Sequence, residues 1–259
     1  MPETRTLKIC GPKHAGLRPD DTATKMKIVL VLGCLVACTS SAGAEDRILG
    51  LLALPEVFGN GPCDRFSPQE VPLHAIPNGA AVGVVHVVKY WTFDGLNGGC
   101  EGLQVAVRLQ RSAVDQPLPT EEYEYEAPAA IVLEQRGRWF RLRLARGAAW
   151  VLASPRDEFR SLETLFEGSM TFLTSDWSRQ LADNPSTRSR TAHVPANGEE
   201  PSVRVLKSAR VRGQLWFQIE VMSHSICNDP SEPKVIDRGW VAAHSRSGQP
   251  AIWFFSRGC

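Results

Sequence analysis

The sequence has no Gly-x-Ser-x-Gly elbow, no His-Glu-x-x-His pair and no glycine-rich phosphate loop ending in Lys-Ser or Lys-Thr. Those spacings build an exposed nucleophile, a zinc-ligating helix face or a cradle of backbone N–H groups, and the chemistries that depend on them have no local signature here. Cys-x-x-Cys is missing too, and with it the usual spacing of a structural zinc site. Neither charge sign prevails: 29 Lys and Arg stand against 28 Asp and Glu. A chain so balanced has no general attraction for nucleic acid or an anionic membrane surface. No apolar run approaches the roughly 20 residues that a membrane-spanning helix needs.

What is present begins with an export segment. Residues Ile28 to Cys38 form an apolar run preceded by Lys25-Met26-Lys27 and followed by Thr39-Ser40-Ser41-Ala42-Gly43-Ala44. A basic start, a short apolar centre and an Ala-x-Ala ending are the parts of a secretory signal. Residues 26–44 are therefore expected to be a signal peptide, with Met26 as the start and 1–25 as a mis-annotated upstream extension. Two processing routes compete. Cleavage after Ala44 gives a periplasmic or secreted protein. Alternatively Leu35-Val36-Ala37-Cys38 resembles a lipobox, and lipidation of Cys38 gives an outer-membrane lipoprotein.

Four cysteines remain beyond the signal: Cys63, Cys100, Cys227 and Cys259. An even number in an oxidising compartment reads as two disulfides, with three connectivities open. Cys63–Cys100 with Cys227–Cys259 is the economical pairing, because it keeps each bridge within one half of the chain. Each bridge is worth about 3–4 kcal/mol in the chain-entropy view.

Strand patterns dominate the mature part. Ala81 to Val88 is β-branched and follows Pro77-Asn78-Gly79. Leu103 to Leu109 alternates, and Asn97-Gly98-Gly99 between the two reads as a turn. Trp139 to Leu144 also alternates, and Trp150-Val151-Leu152 follows an Arg146-Gly147 turn. One helix is expected from a Ser154-Pro155 start, with Phe159, Leu162, Leu165 and Phe166 at helical spacing and Gly168 as its stop. Met170 to Thr174 reads as a further strand. The stretch from Asp183 to Pro201 is polar and holds three prolines, which suits a linker.

An internal repeat organises these pieces. Arg138-Trp139-Phe140-Arg141-Leu142 with Ala149-Trp150-Val151 is echoed by Leu215-Trp216-Phe217-Gln218-Ile219 with Gly239-Trp240-Val241. The shared face is apolar, while the outward Trp139, Arg141 and Arg143 answer to Trp216, Gln218 and Glu220. These elements, with Val71 to Gly79 as an opening strand and turn, resemble the bacterial Src-homology-3-like (SH3b) family. Ala149 stands where that family usually has glycine.

The resemblance implies an all-β protein of two small Src-homology-3-like β-barrels with one short helix after the first. The first barrel would span 45–180, a linker 181–200 and the second barrel 201–259. It also implies, for many relatives, binding to cell-wall material or peptides. With no catalytic motif and both halves taken up by β repeats, a non-catalytic binding module for cell-envelope glycan or a protein partner, without a cofactor, is expected. It would meet a membrane only through a lipid anchor. Tyr90, Trp91, Trp139, Trp216, Trp240 and Trp253 are the candidates for an aromatic cleft; Trp150 and Trp240 are also the size and type of core fillers. Glu122, Glu124 and Glu126 are expected as cross-strand partners of Arg141 and Arg143. A lipid-anchored assembly factor is the alternative function, and a small metal-dependent enzyme using His224, Asp229 and His244 is a third.

Overall fold

The computed structural model describes residues 47–54, 70–92, 100–112, 114–124, 127–154, 158–185, 188–195 and 200–258. The signal segment with Cys38, and Cys63 and Cys259, lie outside them. The described residues build two strongly curled antiparallel sheets and one short helix.

The first sheet begins with β1 (Gly50–Ala53), β2 (Glu70–His74) and β3 (Ala81–Thr92). Then come β4 (Cys100–Leu109), β5 (Gln116–Pro117) and β6 (Thr120–Glu124), and after them β7 (Ala127–Arg136), β8 (Trp139–Arg143), β9 (Ala148–Leu152) and β10 (Phe159–Ser161). The helix α1 (Leu162–Phe166) follows. The second sheet holds β11 (Thr171–Leu173), β12 (Gln180–Ala182), β13 (Ser189–Thr191), β14 (Ser202–Val211), β15 (Gln214–Met222), β16 (Val235–Ala242) and β17 (Ile252–Phe254). Of the segment expected as a linker, residues 181–182 and 189–191 are strand.

The repeat holds at the level of topology. The first sheet runs β10-β1-β7-β8-β9-β2-β3-β4-β5, with β6 on β7; the second, read from its far end, runs β17-β11-β14-β15-β16-β12-β13. Each strand of the second sheet has a counterpart in the same place and chain order in the first, which adds β4, β5 and β6. Register agrees residue by residue. Phe140 faces Val151 and Arg141 faces Trp150, as Phe217 faces Val241 and Gln218 faces Trp240. The apolar positions of these strands are buried in both copies: Phe140, Leu142 and Val151, and Phe217, Ile219 and Val241.

The helix is shorter than its spacing suggests. Phe159 does not join it but pairs as a strand with Leu52, and Ser161 rather than Ser154 caps the helix, its Oγ accepting from the Thr164 N–H at 3.3 Å. The cause lies in β1. A Cβ at Gly50 would collide with the Arg160 carbonyl and the Phe159 ring, so glycine there lets residues 159–161 lie against β1 as a strand. The expectation for the acidic run is also corrected. Its strand, β6, pairs with β7 and not β8, so Glu122 reaches Arg257 and Glu124 reaches Arg160. Glu220, expected on the outward face, is only 5% exposed and lies beneath Arg238 and Arg204.

Two apolar cores share a wall. In β1 and β7, Leu52, Ala130 and Val132 turn into the first core, while Leu51, Ala129 and Ile131 turn into the second. Both faces of this two-stranded ribbon are buried, which is why Gly50 to Ala53 and Ala129 to Val132 read as unbroken apolar runs rather than alternating ones. Leu162, Leu165 and Phe166 of α1 add to the second core, where the Phe166 ring lies 5.1 Å from that of Phe217.

Candidate functional site

The shared wall brings the rim of the first sheet beside the edge of the second, and a cleft of about 270 Å³ opens there. Glu121 of β6 and Arg143 of β8 stand on one side; Phe172, Asp176, Pro250 and Trp253 stand on the other. Alternation explains the aromatic side. In the β11–β17 pair Phe172 lies opposite Trp253, so both leave the same face, while Thr171, Leu173, Ile252 and Phe254 are buried on the other. Phe255 extends the row, its ring 4.6 Å from Phe172. The Thr174 hydroxyl donates to the Pro250 carbonyl at 2.7 Å and fixes the lower lip.

Two links tie the cleft together from outside. Arg257 donates from Nε and Nη2 to Glu122 at 2.7 and 2.5 Å, joining the chain after β17 to β6. On the inner side His244 bonds through Nε2 to the Ile48 carbonyl at 2.6 Å. Burial, reinforced by Arg47 and Arg210, holds this imidazole below its ordinary range, against the opposing pull of the Ile48 bond and Glu163. A neutral ring that donates from Nε2 is the form that suits the site. Glu121 is exposed, yet partial desolvation raises its carboxyl above the ordinary range, against the attraction of Arg143. The cleft is therefore bordered by two aromatic side chains, a carboxyl of raised proton affinity, a second carboxylate and a guanidinium.

Of the six aromatic candidates, Trp253 borders this cleft. Trp139 is half-buried with its ring edge-on to His74 at 5.1 Å, and Trp216 is half-buried in β15. Trp240 is 8% exposed beneath the Lys207 ammonium, 5.5 Å from its ring, and Trp150 is 4% exposed beneath the Arg136 guanidinium at 4.9 Å. Both tryptophans thus pack as fillers with a cation over one face. Tyr90 and Trp91 fall in β3, and their side chains lie outside the described residues. Cys100 opens β4 with its side chain likewise outside them, and Cys227 is exposed in the loop between β15 and β16.

The three residues of the metal reading do not meet. His224 bonds to the Ser223 hydroxyl at 2.9 Å and the Ser231 carbonyl at 3.1 Å, Asp229 accepts from the Ser231 N–H, and His244 is engaged at Ile48. Among the described residues no group of three or more His, Cys, Asp or Glu is placed to hold a metal ion. Nor is any of their helices long and apolar enough to cross a membrane.

Glu121, Arg143, Phe172 and Asp176 carried no motif that marks a site. The alternation of Trp253-Phe254-Phe255 was the one local signal, since it sends residues 253 and 255 to the same face. No protein-family model, curated protein or solved structure matches the chain.

Proposed function

We propose that this chain is an exported, non-catalytic binding module of two bacterial Src-homology-3-like barrels, which grips a cell-envelope glycan in the cleft between Glu121 and Trp253. The observation that carries the reading is the pairing of a flat aromatic wall, Phe172 and Trp253, with Glu121, Arg143 and Asp176 across a small opening. A sugar ring presents an apolar face and a rim of hydroxyls, and such a wall and rim complement both. A protein partner with an exposed proline or aromatic side chain is the alternative occupant.

Export rests on the basic, apolar and Ala-x-Ala sequence of residues 25–44. The even count of Cys63, Cys100, Cys227 and Cys259 beyond that segment suits an oxidising destination and a two-bridge scheme. The lipobox-like Leu35 to Cys38 favours a second form of the same reading, in which the module is tethered to a membrane and serves as an assembly factor.

Binding of the oxidised protein to purified envelope glycan, followed by sedimentation and by calorimetry with soluble fragments, tests the proposal. Trp253→Ala and the Glu121→Gln/Arg143→Gln pair should each weaken binding about tenfold, which is about 1.4 kcal/mol. The second variant keeps the aromatic packing and so separates recognition from folding. Undiminished binding by both variants, or no glycan binding by the parent protein, would remove the cleft from the account.

A further inference from the structure

A second cleft lies in the first copy, at the end of the curled sheet where the β8–β9 turn meets β3 and β4. It measures about 530 Å³; its floor is apolar, formed by Val82, Leu109, Leu144 and Ala149, and Arg111 and Arg146 stand at its rim. That volume falls in the range of small-molecule sites.

The comparison of copies shows why it exists. In the second copy a Cβ at Gly239 would lie 2.8 Å from the Leu181 Cβ and 3.1 Å from the Ala182 carbonyl, so β12 presses directly on β16. The matching position in the first copy is Ala149, by the shared register of β8–β9 and β15–β16. Ala149 borders the cleft, and the end of β4, which has no counterpart among the described strands of the second copy, supplies the far wall. The opening thus lies where the two copies differ, at Ala149 against Gly239 and at β4.

The rim carries the chemistry. Arg108, Arg136, Arg160, Arg190, Arg210, Arg238 and Arg257 are each paired with a carboxylate. Arg111 and Arg146 have no such partner among the described residues, although both are exposed and border one apolar hollow. The nearest acid in sequence to Arg111, Asp115, is taken by Arg108 and His86. Two uncommitted guanidiniums over an apolar floor complement a ligand with one anionic head and an apolar body. We infer that this cleft binds a small amphipathic carboxylate, with the acyl or aryl body on Leu109, Leu144 and Ala149 and the carboxylate between Arg111 and Arg146.

The test is calorimetric titration of the full exported protein with decanoate, kept below its micellar concentration, beside decyltrimethylammonium and acetate. Saturable one-to-one binding of decanoate is expected, with both controls at least about tenfold weaker. Acetate lacks the apolar body and the ammonium lacks the anion. Arg111→Gln/Arg146→Gln should cut decanoate affinity at least about tenfold and leave the thermal midpoint unchanged, since neither side chain holds another in place. Equal binding of the two decyl compounds, undiminished decanoate binding by the double variant, or no saturable binding at all would overturn the assignment. Glycan binding by the double variant should be intact, so the two clefts are separable.

Discussion

The two copies of the barrel share a topology and a register, yet they close their cores differently. The first encloses Leu52, Leu73, Val85, Val132, Phe140 and Leu142 with strands of its own. The second takes Ile48, Leu51, Ile131, Leu162, Leu165 and Phe166 from the first to cover Phe217, Ile219 and Val241. The pair is therefore asymmetric: one sheet supplies a wall and the other leans on it. One cleft lies at the seam between the sheets, and the other is bordered by the end of β4 and by Ala149.

The largest effect should come from cutting the pair apart. Residues 169–259 alone lack the borrowed side chains and should show no cooperative thermal transition by circular dichroism. A sharp transition from that fragment would show that the second copy closes its core unaided. Within the whole chain Phe166→Ala should cost about 3–5 kcal/mol in urea unfolding, because this ring is fully buried between Phe217 and Phe254. A loss below about 1 kcal/mol would mean that α1 is not part of the second core.

The matched positions 149 and 239 sharpen the comparison further. Gly239→Ala should destabilise by about 1–3 kcal/mol, since the added methyl meets Leu181 and the Ala182 carbonyl. Ala149→Gly, the reciprocal change, should cost only about 0.5–1 kcal/mol. Similar costs for the two would contradict the tighter seating of β12 on β16.

A smaller difference is electrostatic. Asp237 of the second copy, where the first has Gly147, accepts two bonds from Arg190, which with the His193 and Arg238 N–H groups holds its carboxyl down to about 2. A carboxyl depressed in the fold binds protons more readily once unfolded, so its stabilisation is present above about pH 4 and disappears as pH falls towards 2. The contribution is about 1–2 kcal/mol, moderated because Arg190 is half exposed. Asp237→Asn should lower stability at neutral pH by that amount and flatten the acid limb between pH 4 and 2. An unchanged limb would assign acid sensitivity to other carboxyls.

The repeat was legible because Trp139-Phe140 and Trp216-Phe217 sit in alternating strands whose inward positions are apolar in both copies. The short helix was legible from Leu162, Leu165 and Phe166. Its start was not, because Phe159 has helical spacing and only the missing Cβ of Gly50 turns it into a strand. The polar stretch hid β13, whose three residues are all exposed and leave no hydrophobic signature. The shared wall was hidden for the opposite reason: β1 and β7 are apolar on both faces, and periodicity cannot say which core each face serves. The seam cleft needed that wall, so of its residues only Trp253 was marked in advance, while Arg143 was read as one outward charge among several and Asp176 left no mark.

Scanning calorimetry of the intact, oxidised protein tests the shared wall most directly. One transition, with calorimetric and van't Hoff enthalpies equal, is what a pair of barrels closing on common side chains predicts. Two resolved transitions, one for each copy, would contradict it.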